Sequence, residues 1–473
     1  MNKEYTLPFS ERYASAEMLY IFSPEFKFTS WRKLWIWLAE AEKELGLPVT
    51  AAQIKQMQEK ISVFNEAYIA ECEKKTRHDV MAHIHAFGRE CPLAEPVIHL
   101  GATSAYVGDN TDLIQMRDAL LIVKTRLLDV MKLLKDFAFK YRNLPALGFT
   151  HFQPAQLTTV GKRASLWLYE LLIDYHDLEH VFVSLPFRGV KGTTGTQASF
   201  LELFAGNHKK VEQLDKLVTR KAGFKTNVPV CGQTISRKFD SRIAALLSSI
   251  AQSCAKFSND MRLLQHMKEI EEPLEKGQVG SSAMAYKRNP MRAERISSLA
   301  RFVMSLEQSL AYTASTQWFE RTLDDSANKR LSVPQGFLAV DSILLVFANI
   351  MQGPVVNEKI IRRNIESELP FIITENIIMA GVKKGGNRQE LHEKIRVLSR
   401  QASVEIKEKG KPNNLLQLIL ADKSFGLTEK DLDNLMQPER YTGRAAVQTE
   451  YFIKKHIEPL LKKVKNSRVE LKV

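Results

Sequence analysis

The 473 residues carry 67 Lys and Arg against 54 Asp and Glu, a formal net charge of +13. That length exceeds what one hydrophobic core ordinarily fills and predicts two or three packed domains. The basic residues are spread along the chain, and their one modest cluster, Lys454, Lys455, Lys462, Lys463, Lys465 and Arg468 beside Glu458 and Pro459, reads as a solvated helix face, so no nucleic-acid partner is expected.

At the start, MNKEYTLPFSERY interleaves charges with aromatics and lacks the apolar core of a secretory signal. Residues 1–103 break into short segments and turns, predicting a small N-terminal helical domain in which Trp31, Trp35 and Trp37 serve core and interface packing. Residues 112–141 place Leu113, Met116, Leu120, Val123, Leu127, Val130, Leu134, Phe137 and Tyr141 at spacings of three and four, without Pro or Gly. This predicts one helix about 45 Å long at 1.5 Å per residue, with Asp109, Asn110 and Asp112 at its start as candidate partners for the free amides. Runs of the same period recur near residues 157–183, 242–270, 290–316 and 334–351; Pro290 suits a first helical turn with Asn289 as its cap. Long helices of matched length bury their stripes side by side. The expected fold class is therefore all-α: three helical domains over 1–103, 104–356 and 357–473, the middle one a bundle of long helices. The densest apolar run, residues 343–351, is too short for a bilayer and is broken by Asn349, so no membrane partner is expected. Cys72, Cys91, Cys231 and Cys254 show no CxxC pairing and read as buried, reduced thiols of a cytoplasmic protein.

Four polar clusters fall between or at the ends of the predicted helices, where sites on helical scaffolds form. They are Thr76 to Asp79 (TRHD), Thr103 and Ser104 followed by Gly108, Asp109 and Asn110, residues 150–156 (THFQPAQ), and residues 280–290 (GSSAMAYKRNP). The last fits the pattern GSSxMxxKxNP at every fixed position and resembles the fumarase/aspartase superfamily. TRHD, THFQPAQ, SERYAS at 10–15 and WFERTLDDS at 318–326 are similar to the adenylosuccinate lyase family within it. The resemblance spans residues 10–330. Many relatives carry Pro where this chain has Ala285, and Ala leaves the loop backbone less constrained.

Eliminating fumarate from a succinylated amine requires a base for a weakly acidic proton beside a carboxylate, a cation for the resulting dianion, and an acid for the departing nitrogen. Lys287, with Arg288 nearby, supplies the cation. His151 is a side chain able to serve as the acid, and Ser281 sits on a small-residue loop able to close over substrate. The resemblance implies Ser281 as base, its alkoxide stabilised by loop amides and Lys287, and His151 as acid, with His78 supporting substrate binding or proton traffic. It further implies Arg12, Tyr13, Ser326 and Arg330 as nucleotide-phosphate contacts. Thr103, Ser104, Lys287 and Asn289 would hold the succinyl carboxylates, and Arg77, Asp79, Gln233, Arg295 and Arg321 complete the binding set. No cofactor or metal is implied. The expected assembly is a homotetramer with active sites shared between subunits, acting on small succinylated purine nucleotides.

Blander readings compete. His78, His83 and His85 with Asp79 form a candidate metal cluster, but the HExxH pairing is missing, and a surface or capping role for His83 and His85 is preferred. Residues 189–196 (GVKGTTGT) resemble a phosphate loop, yet the lysine precedes the inner glycines and no strand leads into it, so a structural turn is expected. Alternatives for the whole chain are another lyase of the superfamily, such as argininosuccinate lyase, and a catalytically silent protein of the same fold.

Overall fold

The structure is a computed structural model that describes residues 4–275, 277–284, 286–462, 464 and 471. Ala285, and Lys463, Lys465 and Arg468 of the basic cluster, lie outside the described residues. Five long helices, Ser104–Lys140, Val160–Ser184, Lys238–His266, Met291–Ser315 and Asp324–Gln352, pack against one another as the central bundle. Shorter helices precede and follow it, so the molecule is all-α in class.

The apolar stripe that predicted the first long helix is the one the bundle buries. Leu113, Met116, Leu120, Val123, Leu127, Val130, Leu134 and Phe137 are all buried, each contributing roughly 1.5–3 kcal/mol. The helix starts nine residues earlier than its stripe, at Ser104, and its 37 residues span about 55 Å. Asp109 and Asn110 are therefore interior residues rather than caps. They turn into the core, where Asn110 exchanges hydrogen bonds with the backbone of Gly189 at 3.1 Å. Polar residues near an apolar run suggest a helix end by local preference, but buried partners from other elements keep these two inside the helix.

Other boundaries move for similar reasons. The run from 157 opens as a strand, and the helix starts at Val160 with the Thr159 hydroxyl accepting from the Lys162 N–H at 3.1 Å. Asn289 does not cap the next helix. Its side chain donates to the Gly280 carbonyl at 2.9 Å, while the distant Glu272 carboxylate accepts from the Arg292 and Ala293 amides at 3.1 and 2.6 Å, satisfying orphan donors from outside the helix. Pro334 lies within the Asp324–Gln352 helix, where it removes the amide that would meet the Arg330 carbonyl. At 29 residues that helix is long and apolar enough to cross a membrane, and 72% of its most apolar window is buried inside the molecule. It is the bundle's core helix, with Phe347 stacked on Phe257 of the Lys238–His266 helix at 3.7 Å between ring centroids.

Among the described residues there are two two-stranded sheets. Pro145–Thr150 pairs antiparallel with Gln153–Thr159, and Ile270–Glu271 with Val355–Val356. Cys72, Cys91 and Cys254 are buried, whereas Cys231 is half-buried. Its carbonyl lies 1.8 Å from where a side chain on Gly195 would begin, so that left-handed position accepts only glycine. The turn carrying Gly195 is structural: its Lys191 is locked in a buried ion pair with Asp215.

Candidate active site

A cleft of about 750 Å³ opens between the N-terminal helices and the bundle. Arg77, His78, Asp79, Ser104, Gln233, Arg321, Ser326 and Arg330, all expected in the binding set, line it together.

Local chemistry positions each. The Glu66–Thr76 helix ends at Arg77, whose φ of 53° is left-handed and turns the chain sharply; a non-glycine residue held there signals a constrained position. His78 then caps the Asp79–Glu90 helix, its Nδ1 accepting from the Met81 N–H at 3.3 Å. With Nδ1 accepting, the neutral ring carries its proton on Nε2, which lies 3.2 Å from the Ser104 hydroxyl. Ser104 is the first residue of the longest helix, and its neighbour Thr103 is the N-cap residue but makes no side-chain capping bond. Gln233 is fixed by its backbone: its carbonyl accepts from Arg188 at 2.6 and 2.9 Å, and its amide donates to the Glu320 carbonyl at 2.9 Å. Ser326 and Arg330 stand one turn apart on the Asp324–Gln352 helix.

The floor of the cleft is charged. Lys329 meets Asp112 at 2.6 Å and Asp109 at 3.2 Å. Arg237, 1% exposed, meets Asp109 at 2.7 Å, Asp325 at 2.9 Å and Asp240 at 3.4 Å. Burial alone would disfavour the Asp109 carboxylate, but Lys329, Arg237 and Arg188 together hold its carboxyl well below the usual range. Burial likewise opposes the Lys329 ammonium, and Asp112 and Asp109 outweigh it. Arg330 sits 3.5 Å from Asp79. Sequence reasoning placed Asp109 and Asp112 at a helix start and missed Lys27, Lys329 and Asp240 as lining residues. The only signal for Lys329 was its place beside Arg330.

The remaining expected residues lie elsewhere in the chain. His151 and Phe152 form the two-residue turn between the paired strands, both left-handed at φ 52° and 58°. Such turns ordinarily hold Asn and Gly. His151 is exposed and makes no hydrogen bond among the described residues. Ser281, Lys287 and Asn289 belong to one compact loop. The Ser281 hydroxyl accepts from the Met284 amide at 3.2 Å, the Lys287 amide donates to the Met284 carbonyl at 2.9 Å, and Asn289 closes the ring onto Gly280. A side chain on Gly280 would begin 2.3 Å from the Lys287 carbonyl, so the closure needs glycine. Arg288 is anchored to Glu271 at 3.1 Å, and Lys287 is exposed. Arg12 and Tyr13 end a π turn, Phe9–Tyr13, and the Arg295 guanidinium lies 5.3 Å over the Tyr13 ring. None of His151, Ser281, Lys287, Asn289, Arg12, Tyr13, Thr103 or Arg295 lines the cleft of its own chain.

His83 is buried rather than on the surface. Its ring stacks on Phe28 at 3.9 Å and meets Trp31 edge-on, and burial lowers its pKa to about 4. A neutral, stacked imidazole is a packing element; of His83 and His85, it is His85 that is exposed.

Residues 16–305 match the family described as lyase, and residues 370–452 match that described as adenylosuccinate lyase C-terminus. The chain is 52% identical to adenylosuccinate lyase of Saccharomyces cerevisiae, covering 99% of each chain. It is 49% identical to that of Schizosaccharomyces pombe, over 99% of this chain and 98% of the relative. In fold it is similar to 3-carboxy-cis,cis-muconate lactonizing enzyme from Pseudomonas putida, with a TM-score of 0.81 at 22% identity over 96% of this chain and 99% of that one. A fumarate lyase from Mesorhizobium matches with a TM-score of 0.79 at 21% identity, over 96% and 100%.

Proposed function

The chain belongs to the adenylosuccinate lyase family, carbon–nitrogen lyases of purine biosynthesis that cleave adenylosuccinate to AMP and fumarate, and from that premise we propose how its own residues carry the reaction. Ser281, ionised in a closed loop, takes the proton from the carbon beside a succinyl carboxylate. The electron pair passes into that carboxylate, and Lys287 stabilises the resulting dianion. As the dianion collapses, the carbon–carbon double bond of fumarate forms and the C–N bond breaks. His151 hands its proton to the leaving nitrogen, completing AMP. The Met284 amide already directed at the Ser281 hydroxyl is a donor suited to an alkoxide.

His78, with its proton on Nε2 beside Ser104, supports the succinyl end together with Thr103, Ser104 and Asn289. Ser326 and Arg330 take the phosphate with Arg12 and Tyr13, while Arg77, Asp79, Gln233, Arg295 and Arg321 complete the pocket. Phosphate and succinyl contacts flank the base without depending on a closed purine ring, so succinylaminoimidazole carboxamide ribotide is a second substrate. The domains are 1–103, 104–356 and 357–473, and the location is cytoplasmic.

The observation that carries the assembly is His151. A histidine held at an exposed, left-handed turn, with no hydrogen-bond partner among the described residues and away from its own cleft, is suited to the cleft of a neighbour. We therefore propose a homotetramer in which each site draws on several subunits. His151→Ala and Ser281→Ala are each expected to lower kcat for adenylosuccinate by at least about a hundredfold. Mixing the two inactive proteins under conditions of subunit exchange should restore a measurable part of the activity, followed by absorbance. Mixtures that exchange subunits and stay inactive would show that both residues serve one chain's site.

A further inference from the structure

Lys27 was not expected at the site, and its surroundings work against a cation. It lies in the first turns of the Pro24–Glu44 helix, whose N-terminus is capped by Ser23, and the helix dipole disfavours positive charge there. Its side chain lines the cleft, where burial first and the like charge of Arg330 second lower its pKa. The two carboxylates that favour its charge, Asp112 and Asp79, are engaged by Lys329 and Arg330. Among the described residues Lys27 makes no ion pair. What holds the ammonium is aromatic: it sits 5.1 Å from the Trp31 ring centre and 5.3 Å from that of Phe28, a weaker hold than an ion pair with a buried carboxylate.

A cation kept against burial, a like charge and a helix dipole is poised for an anion that arrives from solution. Its charged neighbours narrow the kind of anion. Lys27 and Arg330 approach the cleft from different helices, one from the N-terminal helices and one from the bundle, and their mutual repulsion becomes attraction when a doubly charged group lies between them. A phosphate monoester carries two charges on one centre; a carboxylate carries one. We propose that Lys27 is a phosphate-positioning residue that closes on the nucleotide phosphate from the wall opposite Ser326 and Arg330. This rests on the reading above that Ser326 and Arg330 hold that phosphate.

The experiment uses the full chain carrying Lys27→Met, with Lys27→Gln as a second variant should the first fail to fold. Inhibition of adenylosuccinate cleavage by AMP and by adenosine is compared, with assembly checked by sedimentation. AMP inhibition should weaken about tenfold or more and adenosine inhibition less than about twofold, with KM for adenylosuccinate rising and kcat falling less than about threefold. Equal losses for AMP and adenosine would assign Lys27 to packing, and unchanged AMP inhibition would remove it from the phosphate site. A fall in kcat without a change in AMP inhibition would place it at the succinyl end and overturn the proposal as well. A wild-type protein that leaves adenylosuccinate intact would defeat the family reading, an outcome distinct from all of these.

Discussion

His78 and His151 are positioned by opposite means. The His78 ring is fixed by a cap bond to the Met81 amide and by Ser104, so its tautomer is set before substrate arrives. His151 is placed by backbone alone, at a left-handed turn whose cost the paired strands must offset. Away from the site, Glu42 makes stability depend on pH. It is fully buried, and among the described residues neither carboxylate oxygen has a hydrogen-bond partner. Burial raises its carboxyl from the ordinary 4.5 to about 9. The folded chain therefore keeps a proton that the unfolded chain releases above about 4.5. Stability from this group is full below that pH and is lost as pH rises toward 9, with a slope of at most about 1.4 kcal/mol per unit. Glu42→Gln should flatten the decline in Tm between pH 5.5 and pH 8.5. A variant whose Tm declines as steeply as the parent's would show that Glu42 ionises freely. Nothing in the run AEAEKE distinguishes Glu42 from its neighbours; burial is decided by the helices packed over it.

At the scale of elements, the Ser104–Lys140 helix joins core to cleft. Its apolar stripe packs the bundle, while Asp109 and Asp112 carry the charges that hold Lys329 and Arg237 beneath the cleft. Arg237 connects Asp109, Asp240 and Asp325. Replacing it with Met would leave buried carboxylates short of their counter-charge, and breaking such a pair costs roughly 3–5 kcal/mol. Arg237→Met should lower the urea midpoint by an amount matching that loss. A midpoint within experimental error of the parent's would mean that Lys329 compensates. The 145–159 hairpin escaped sequence reading for a physical reason. Its strands are six and seven residues long, interrupted by Gly148 and Pro154, with a register shift between Leu147 and Phe149. Such segments lack clear alternation, and their pairing depends on contacts with the bundle and the Glu358–Ile372 helix.

At the scale of the molecule, apolar surface remains uncovered. Leu166, Tyr169 and Ile173 are 50%, 54% and 46% exposed and lie at helical spacing on one face of the Val160–Ser184 helix. Trp318, Phe319 and Leu323 are exposed beside the cleft, Phe319 completely. Contiguous apolar surface of this kind supports the proposed assembly. Ile173→Glu would bury a charge in that contact, so assembly and activity should fall together, read by sedimentation and turnover on one sample. A variant that stays fully assembled would remove this stripe from the subunit interface.

Sequence alone determined the helical class and offered the candidate reacting groups. The 113–137 stripe repeats with the helix's own period, and GSSAMAYKRNP brings serine, lysine and asparagine into one short loop, so both are legible from neighbours in the chain. Only tertiary structure decided that Asp109 is a buried anchor and not a cap, that His83 is a stacked core ring, that Glu42 is enclosed, and that Lys27 faces the cleft. Those outcomes depend on partners tens to hundreds of residues away, and the side chain that neutralises a charge or covers a carboxyl is chosen by packing, which local periodicity does not encode.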